Sequence, residues 1–279
     1  MSGIRSGMQS EREYVHLRIE QEGALLRVTL DRPEILNALN RALIDDLNHL
    51  FSELYWRRDV RVVLLRANGK NFCAGLDLSE RKGPLGNTSL ELDEQRRISQ
   101  IVLAMRQCPQ PIIALVNGAA SGGGFAIALA SDVRVATPDL RMNAAFIRVG
   151  LSACDIGVSY FLPRMVGSSV AAEFMLTGRF ISASKALSLG LVSSIEEPDN
   201  LLSTGEALAA DMLRATPLGL RLTKEALGHA IDAPGLQAVI AMEDRNQVLC
   251  TQSPDFEEGI AAFLEKRAPN YSPTGHSLP

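Results

Sequence analysis

Ile112-Ile113-Ala114-Leu115-Val116-Asn117-Gly118-Ala119-Ala120-Ser121-Gly122-Gly123-Gly124-Phe125-Ala126 is the stretch that decides the fold. Its first five residues are apolar and rich in β-branched types, which predicts a strand buried on both faces. Asn117-Gly118 signals a turn, and three glycines then open an Ala-rich helical run. Glycine has no Cβ, so the backbone can approach a ligand closely. A helix that starts at the triplet aims unpaired N–H groups and the positive end of its dipole at that ligand. The pattern predicts a site for an anion, or for an oxygen that becomes one during a reaction. Tight helix–strand packing would explain one such glycine; three in a row at a strand-to-helix switch point to a ligand.

Three familiar glycine motifs are excluded. The spacing is not that of a P-loop and no lysine follows; it is not G-x-G-x-x-G with a ribose-binding acid downstream. Ser121 falls one place too late for a nucleophile elbow.

Outward from this centre, the 279 residues are long enough for a sizeable core, in one large domain or two small ones. With 46% apolar residues the chain is globular, and a net charge of −4 with mixed signs gives no argument for nucleic acid. Cys73, Cys108, Cys154 and Cys250 are widely spaced with no C-x-x-C pair, which reads as reduced thiols in a cytoplasmic protein. The four histidines are equally scattered and no metal spacing is present. The first dozen residues lack the apolar run of a secretory signal, and no apolar run is long enough for a membrane span. Residues 1–11 and 269–279 read as loose ends.

Taken in order, residues 15–19 and 25–30 predict a β-hairpin. Asn37 is a candidate cap for a helix over 38–56, and 60–66 predicts the next strand. The small-residue crossing Asn68 to Leu78 follows, then a polar loop over 81–88 expected to be mobile. A helix is predicted over 90–106, the central strand and a helix over 121–130 come next, and 133–136 returns as a strand. This alternation implies a largely parallel sheet with ligands at the strand carboxyl ends. The loops 68–77 and 117–123 both lie just past such ends, where two small-residue loops can supply convergent N–H donors. After Gly150 the chain becomes helical, with candidates at 158–165, 169–176, 184–189, 206–214, 218–230, 236–250 and 256–267 and one more strand at 191–195. The helical end is either a second lobe or an oligomerisation surface.

Arg32-Pro33 with Asn37-Ala38-Leu39, Phe72-Cys73-Ala74-Gly75-Leu76-Asp77-Leu78, Asn117-Gly118 leading into Gly122-Gly123-Gly124, Leu176-Thr177-Gly178-Arg179, Gly190-Leu191-Val192 and Phe263-Leu264-Glu265-Lys266-Arg267 occur in an order that resembles the crotonase superfamily, or enoyl-CoA hydratase/isomerase family, over about residues 14–270. The resemblance implies an α/β fold with a crotonase-like core of ββα turns over residues 1–200. It implies a helical C-terminal trimerisation region over 201–279, with trimers pairing into hexamers. It also implies an acyl-CoA thioester as substrate, with coenzyme A as part of it and no separately bound cofactor, and a stabilised thioester enolate. Carried over by position, the N–H groups of Ala74 and Gly123 would bind the thioester oxygen. Arg32, Leu36 and Ala38 would hold the nucleotide end of CoA, with Leu76, Asp77, Leu78 and Gly122 around the thioester. Phe263 and Lys266 would reach a CoA held in part by a neighbouring subunit; for Lys266 an ordinary solvated helix end is the alternative.

The family pattern breaks at two positions. Hydratases of this family use two glutamates, and the matching positions here are Ala126 and Phe146, neither of which transfers a proton. Asp155, in Ser152-Ala153-Cys154-Asp155-Ile156-Gly157, resembles by position the aspartate of dienoyl-CoA isomerases and the nucleophilic aspartate of 4-chlorobenzoyl-CoA dehalogenases. Its alternative is a helix N-cap. Asp77 would brace the oxyanion loop, and Cys154 reads as a buried small hydrophobe. Two functions follow. One is an enzyme in which Asp155 shuttles a proton for double-bond isomerisation or attacks as nucleophile, with the acyl chain among Ala126, Phe146 and Leu151. The other is a non-catalytic acyl-CoA-binding protein. An Asp155 that faces the cavity with a perturbed carboxyl favours the enzyme.

Overall fold

The computed structural model describes residues 12–80 and 86–271. The expected loose end at 1–11, all but residues 269–271 of the one expected at 269–279, and most of the loop expected over 81–88 lie outside those residues; Thr88 is already helical.

The core is a sheet in the order β1 (Leu17–Glu22), β2 (Leu25–Leu30), β3 (Val62–Ala67), β4 (Ile112–Val116), β6 (Val133–Ala136) and β9 (Ser194–Ile195). Only the β1–β2 hairpin is antiparallel; the other neighbours run parallel. All five residues of β4 are buried, as a strand covered on both faces requires. A second small sheet joins β5 (Ala119–Ser121) in parallel to β7 (Arg141–Asn143), which pairs antiparallel with β8 (Ile181–Ser182). The turn after β4 therefore leads from one sheet into the other, and the glycine triplet follows directly.

Helix α1 (Arg41–Leu54) buries Leu43, Ile44, Leu47, Leu50, Phe51 and Leu54, the three-and-four spacing of one apolar face. Its cap is Asn40, whose Oδ1 accepts the N–H of Leu43 at 2.9 Å. Asn37 is not the cap: Leu36 and Asn37 are both left-handed, at φ 58° and 54°, and a helix cannot run through them. Helix α2 (Thr88–Gln107) packs on α1. Helix α3 (Gly123–Ala130) is apolar all round and wholly buried, so it is a core element. Ser121, predicted helical, instead ends β5. At the far end of α3 the buried Arg134 guanidinium donates to the carbonyls of Ala128, Ser131 and Leu191, tying the end of the helix to the Leu191 segment. Burial lowers its pKa to about 10, so it stays charged.

Beyond these lie α4 (Val158–Val166), α5 (Ser168–Thr177), α6 (Ala183–Ser188), α7 (Pro198–Leu213), α8 (Pro217–Ala230), α9 (Leu236–Thr251) and α10 (Pro254–Glu265). Leu201 and Ala209 of α7 are buried with Val62, Leu64, Ile113 and Leu115 in a second core cluster on the sheet. Helix α8 is pinned to the core by the buried Lys224, whose Nζ donates to the carbonyls of Met105 (3.1 Å) and Gln110 (2.7 Å) and pairs with Asp132 (3.0 Å). Among the described residues no helix is long and apolar enough to cross a membrane.

Candidate active site

The glycine triplet sits where two loops meet. Gly122 adopts φ 52° and ψ −116°, open to glycine and costly to a residue with a Cβ, and its N–H donates to Asn143 O at 3.0 Å. Gly123 then begins α3. The second loop runs beside β5: Phe72 N–H donates to Asn117 O (2.7 Å), Cys73 N–H to Ala119 O (3.0 Å), and Ser121 N–H to Cys73 O (2.9 Å). At Gly75 the chain turns with φ 97°, and a Cβ there would lie 2.8 Å from Ser121 O and 3.4 Å from Gly123 N. The loops touch backbone to backbone.

The hydrogen bonds decide which donors are free. Leu39 N–H donates to Gly75 O (2.7 Å) and Asp77 N–H to Leu39 O (3.0 Å), so the two groups flanking Leu76 are tied to one side. Extended backbone alternates, which turns the Leu76 N–H to the other side. Among the described residues the N–H groups of Leu76 and Gly123 meet no acceptor, and both residues line one cavity of about 920 Å³. The expectation for Ala74 is corrected: its N–H donates to Leu36 O at 3.0 Å. The left-handed turn that presents Leu36 O is held by Asn37, whose Oδ1 accepts Arg32 N–H (2.8 Å) and whose Nδ2 donates to Asn68 O and Asn71 O (2.9 Å each). Ala74 lines the cavity without a free donor.

Asp77 faces Arg32 across 2.8 Å, and Arg32 also donates to Ala38 O at 2.8 Å. Hydrogen bonds from Ser79, then Arg32, hold the Asp77 carboxyl below the usual range. It stays ionised and ties the loop to Arg32. Arg32 is buried in that brace, so neither it nor Leu36 or Ala38 lines the cavity.

Asp155 does line the cavity. It does not cap α4: the residue before that helix is Gly157, with no side-chain cap bond. Asp155 Oδ1 accepts the N–H of Ile156 (2.8 Å) and Nε2 of Gln95 (2.6 Å), while Oδ2 meets no partner among the described residues. Burial pushes its carboxyl up, against the lowering effect of those two donors. Ile156 follows at φ 35°, a conformation costly to a β-branched residue. Strain of about 1–3 kcal/mol of this kind is found at functional sites.

Phe146, Leu151, Leu78 and Gly122 also line the cavity, with Leu39 just before the α1 cap, Ile44 from α1, and Leu90 and Ile98 from α2. Ala126 is corrected: it is fully buried in α3 and absent from the lining. Phe263 is 81% exposed and Lys266 ends α10 in the left-handed region, both away from this chain's own cavity lining. Cys154, expected to be buried, is exposed, whereas burial pushes the Cys73 thiol up to about 12, which makes it a poor nucleophile. Among the described residues no cluster of three or more metal-ligating side chains is present. Sequence reasoning missed Gln95, which reads as one polar residue on an exposed helix face.

Two unpaired N–H groups beside a carboxyl with one free oxygen can stabilise a carbonyl oxygen that gains charge while a neighbouring proton moves. Related proteins carry CoA compounds in their names. A probable enoyl-CoA hydratase of Mycobacterium tuberculosis is 37% identical over 254 residues, 89% of each chain. The 1,2-epoxyphenylacetyl-CoA isomerase of Escherichia coli is 32% identical, covering 90% of this chain and 96% of its own. The crystal structure of an enoyl-CoA hydratase from Mycobacterium smegmatis superposes with a TM-score of 0.85 at 32% identity, over 92% of this chain and 98% of that one. The family profile described as enoyl-CoA hydratase/isomerase matches residues 20–274. The chain belongs to the enoyl-CoA hydratase/isomerase family.

Proposed function

We propose that this protein binds an acyl-CoA thioester with its carbonyl oxygen between the N–H groups of Leu76 and Gly123, and that Asp155 moves the proton. Two such donors, already aimed at a developing oxyanion, lower the barrier by about 3 kcal/mol each. The observation that carries the reading is the position of Asp155, on the same cavity as both unpaired N–H groups and with Oδ2 free.

A single acid/base suits double-bond isomerisation, in which one group removes a proton from one carbon and returns it to another. Hydration by the two-glutamate route would need proton carriers at 126 and 146, where this chain has alanine and phenylalanine. The E. coli relative is likewise named as an isomerase, of an epoxide. Phe263 and Lys266 project from α10 where a neighbouring subunit's CoA would meet them in a trimer or a dimer of trimers. No step of this reading needs a bound cofactor, and cytoplasmic residence suits the four unpaired cysteines.

The test is mass spectrometry of saturated and unsaturated acyl-CoAs incubated with the protein in D₂O, beside Asp155→Asn. Deuterium at the α- or γ-carbon, lost in the variant, is the expected result. Addition of water undiminished by the substitution would refute the role of Asp155.

A further inference from the structure

Asp155 is held asymmetrically. Its Oδ1 takes two hydrogen bonds, from its own turn at Ile156 N–H and from Gln95 Nε2, carried on α2. Oδ2 takes none among the described residues. A carboxylate oxygen that already accepts two donors is the weaker base of the pair, so a proton arriving at Asp155 goes to Oδ2. The terminal torsion of an aspartate is soft, and the Ile156 bond lies within the same turn. Only the bond from α2 ties the carboxyl to a separate element.

We propose that Gln95 is a positioning residue, which fixes Oδ1 of Asp155 and so commits Oδ2 to proton transfer with the substrate. The inference rests on the reading of Asp155 given above. It adds a function for a residue that touches neither thioester oxygen donor, and it makes α2 part of the reaction geometry as well as a wall of the acyl site. Besides Asp155, the charged residues that line the cavity among the described residues are Arg41, Asp77, Glu80, Glu91, Glu94 and Arg97. Arg41 pairs with Glu94 (2.7 Å), Arg97 with Asp45 (2.9 Å), and Asp77 with Arg32 (2.8 Å). Among the described residues, burial, Ile156 N–H and Gln95 act on the Asp155 carboxyl, and no charged neighbour is among the causes. Among those residues Gln95 is the one side chain other than its own that does so.

The experiment titrates Asp155 directly, by carbon-13 NMR of protein labelled at the aspartate carboxyls, with the Asp155 signal assigned by its loss in Asp155→Asn. Midpoints are expected to rise in the order wild type, Gln95→Leu, Gln95→Glu, because leucine removes the donor and glutamate also adds a like charge. A purely space-filling role leaves Gln95→Leu at the wild-type midpoint, because glutamate raises the midpoint by its charge alone. A Gln95→Leu midpoint equal to or below that of wild type would overturn the proposal. The titration needs no substrate, so it decides on Gln95 whichever thioester is turned over. In parallel, deuterium uptake by hexenoyl-CoA, in its 2-ene and 3-ene forms, is expected to fall about fivefold in kcat for Gln95→Leu with KM unchanged. Uptake at the wild-type rate by Gln95→Leu would also overturn it. Full uptake by Asp155→Asn would instead sink the reading of Asp155 on which the proposal stands.

Discussion

Gly124→Ala offers the sharpest test of how closely the two site loops approach. Gly124 lies in the first turn of α3, and a Cβ there would fall 2.2 Å from Cys73 O, 2.6 Å from Cys73 Cβ and 2.9 Å from Cys73 C. Neither side can yield cheaply. Cys73 is fixed through its N–H to Ala119 O and through its carbonyl to Ser121 N–H, and α3 is buried on every face. In an open helix, alanine is better than glycine by about 1 kcal/mol. Overpacking a core costs about 1–3 kcal/mol, and with backbone on both sides the cost belongs at the upper end. The net expectation is a loss of about 2 kcal/mol, or roughly 5 °C in Tm. Gly228→Ala, in α8, is the control. Its nearest atom would be Arg106 Nη2 at 3.5 Å, an ordinary contact with the end of a flexible side chain, so the helical gain of about 1 kcal/mol is realised. Urea and thermal unfolding of the three proteins should give opposite signs for the same chemical change. A Gly124→Ala protein as stable as wild type, beside a stabilised Gly228→Ala, would refute the contact between α3 and the 73–77 loop.

Asp155 and the cysteines supply two further predictions. Burial raises the Asp155 carboxyl, so the native protein holds that proton more tightly than the unfolded chain and loses stability as pH rises through the interval between the ordinary and the raised value. Asp155→Asn, which never ionises, is therefore expected to be more stable than wild type at neutral pH and similar to it in acid; the same difference at both pH values in chemical denaturation would contradict this. With iodoacetamide, the exposed Cys154 is expected to react first, while Cys73, pushed up to about 12, and the buried Cys108 wait for unfolding. Peptide mapping that finds native Cys73 labelled ahead of Cys154 would overturn the assignment of burial.

Much of the architecture was legible because buried strands announce themselves. Residues 25–30 and the apolar run before Asn117 fall where their composition puts them. Helix α7 was half missed, since Pro198-Asp199-Asn200 reads as a turn although proline suits the first helical position. Asn37 and Asn40 both look like caps, and only the left-handed backbone at Leu36 and Asn37 separates them. The N–H groups proposed as oxyanion donors show the same limit. The motif places Ala74, Gly75 and Leu76 together, but which N–H is free depends on Leu36 O and Leu39 O, supplied by a distant turn. Gln95 carries no local signal at all, because its partner is a single carboxyl reached only in the folded chain.

The free donors at Leu76 and Gly123 belong to the main chain, and this shapes how the protein can change over generations. No substitution except proline deletes an N–H, so the part of the site proposed to hold the carbonyl is insulated from most point mutations. The side chains around it, at 146, 151 and 155 and along α2, have no such protection and can be exchanged one at a time. On the proposed function, a scaffold divided in this way can drift from one thioester reaction to another while its grip on the thioester persists.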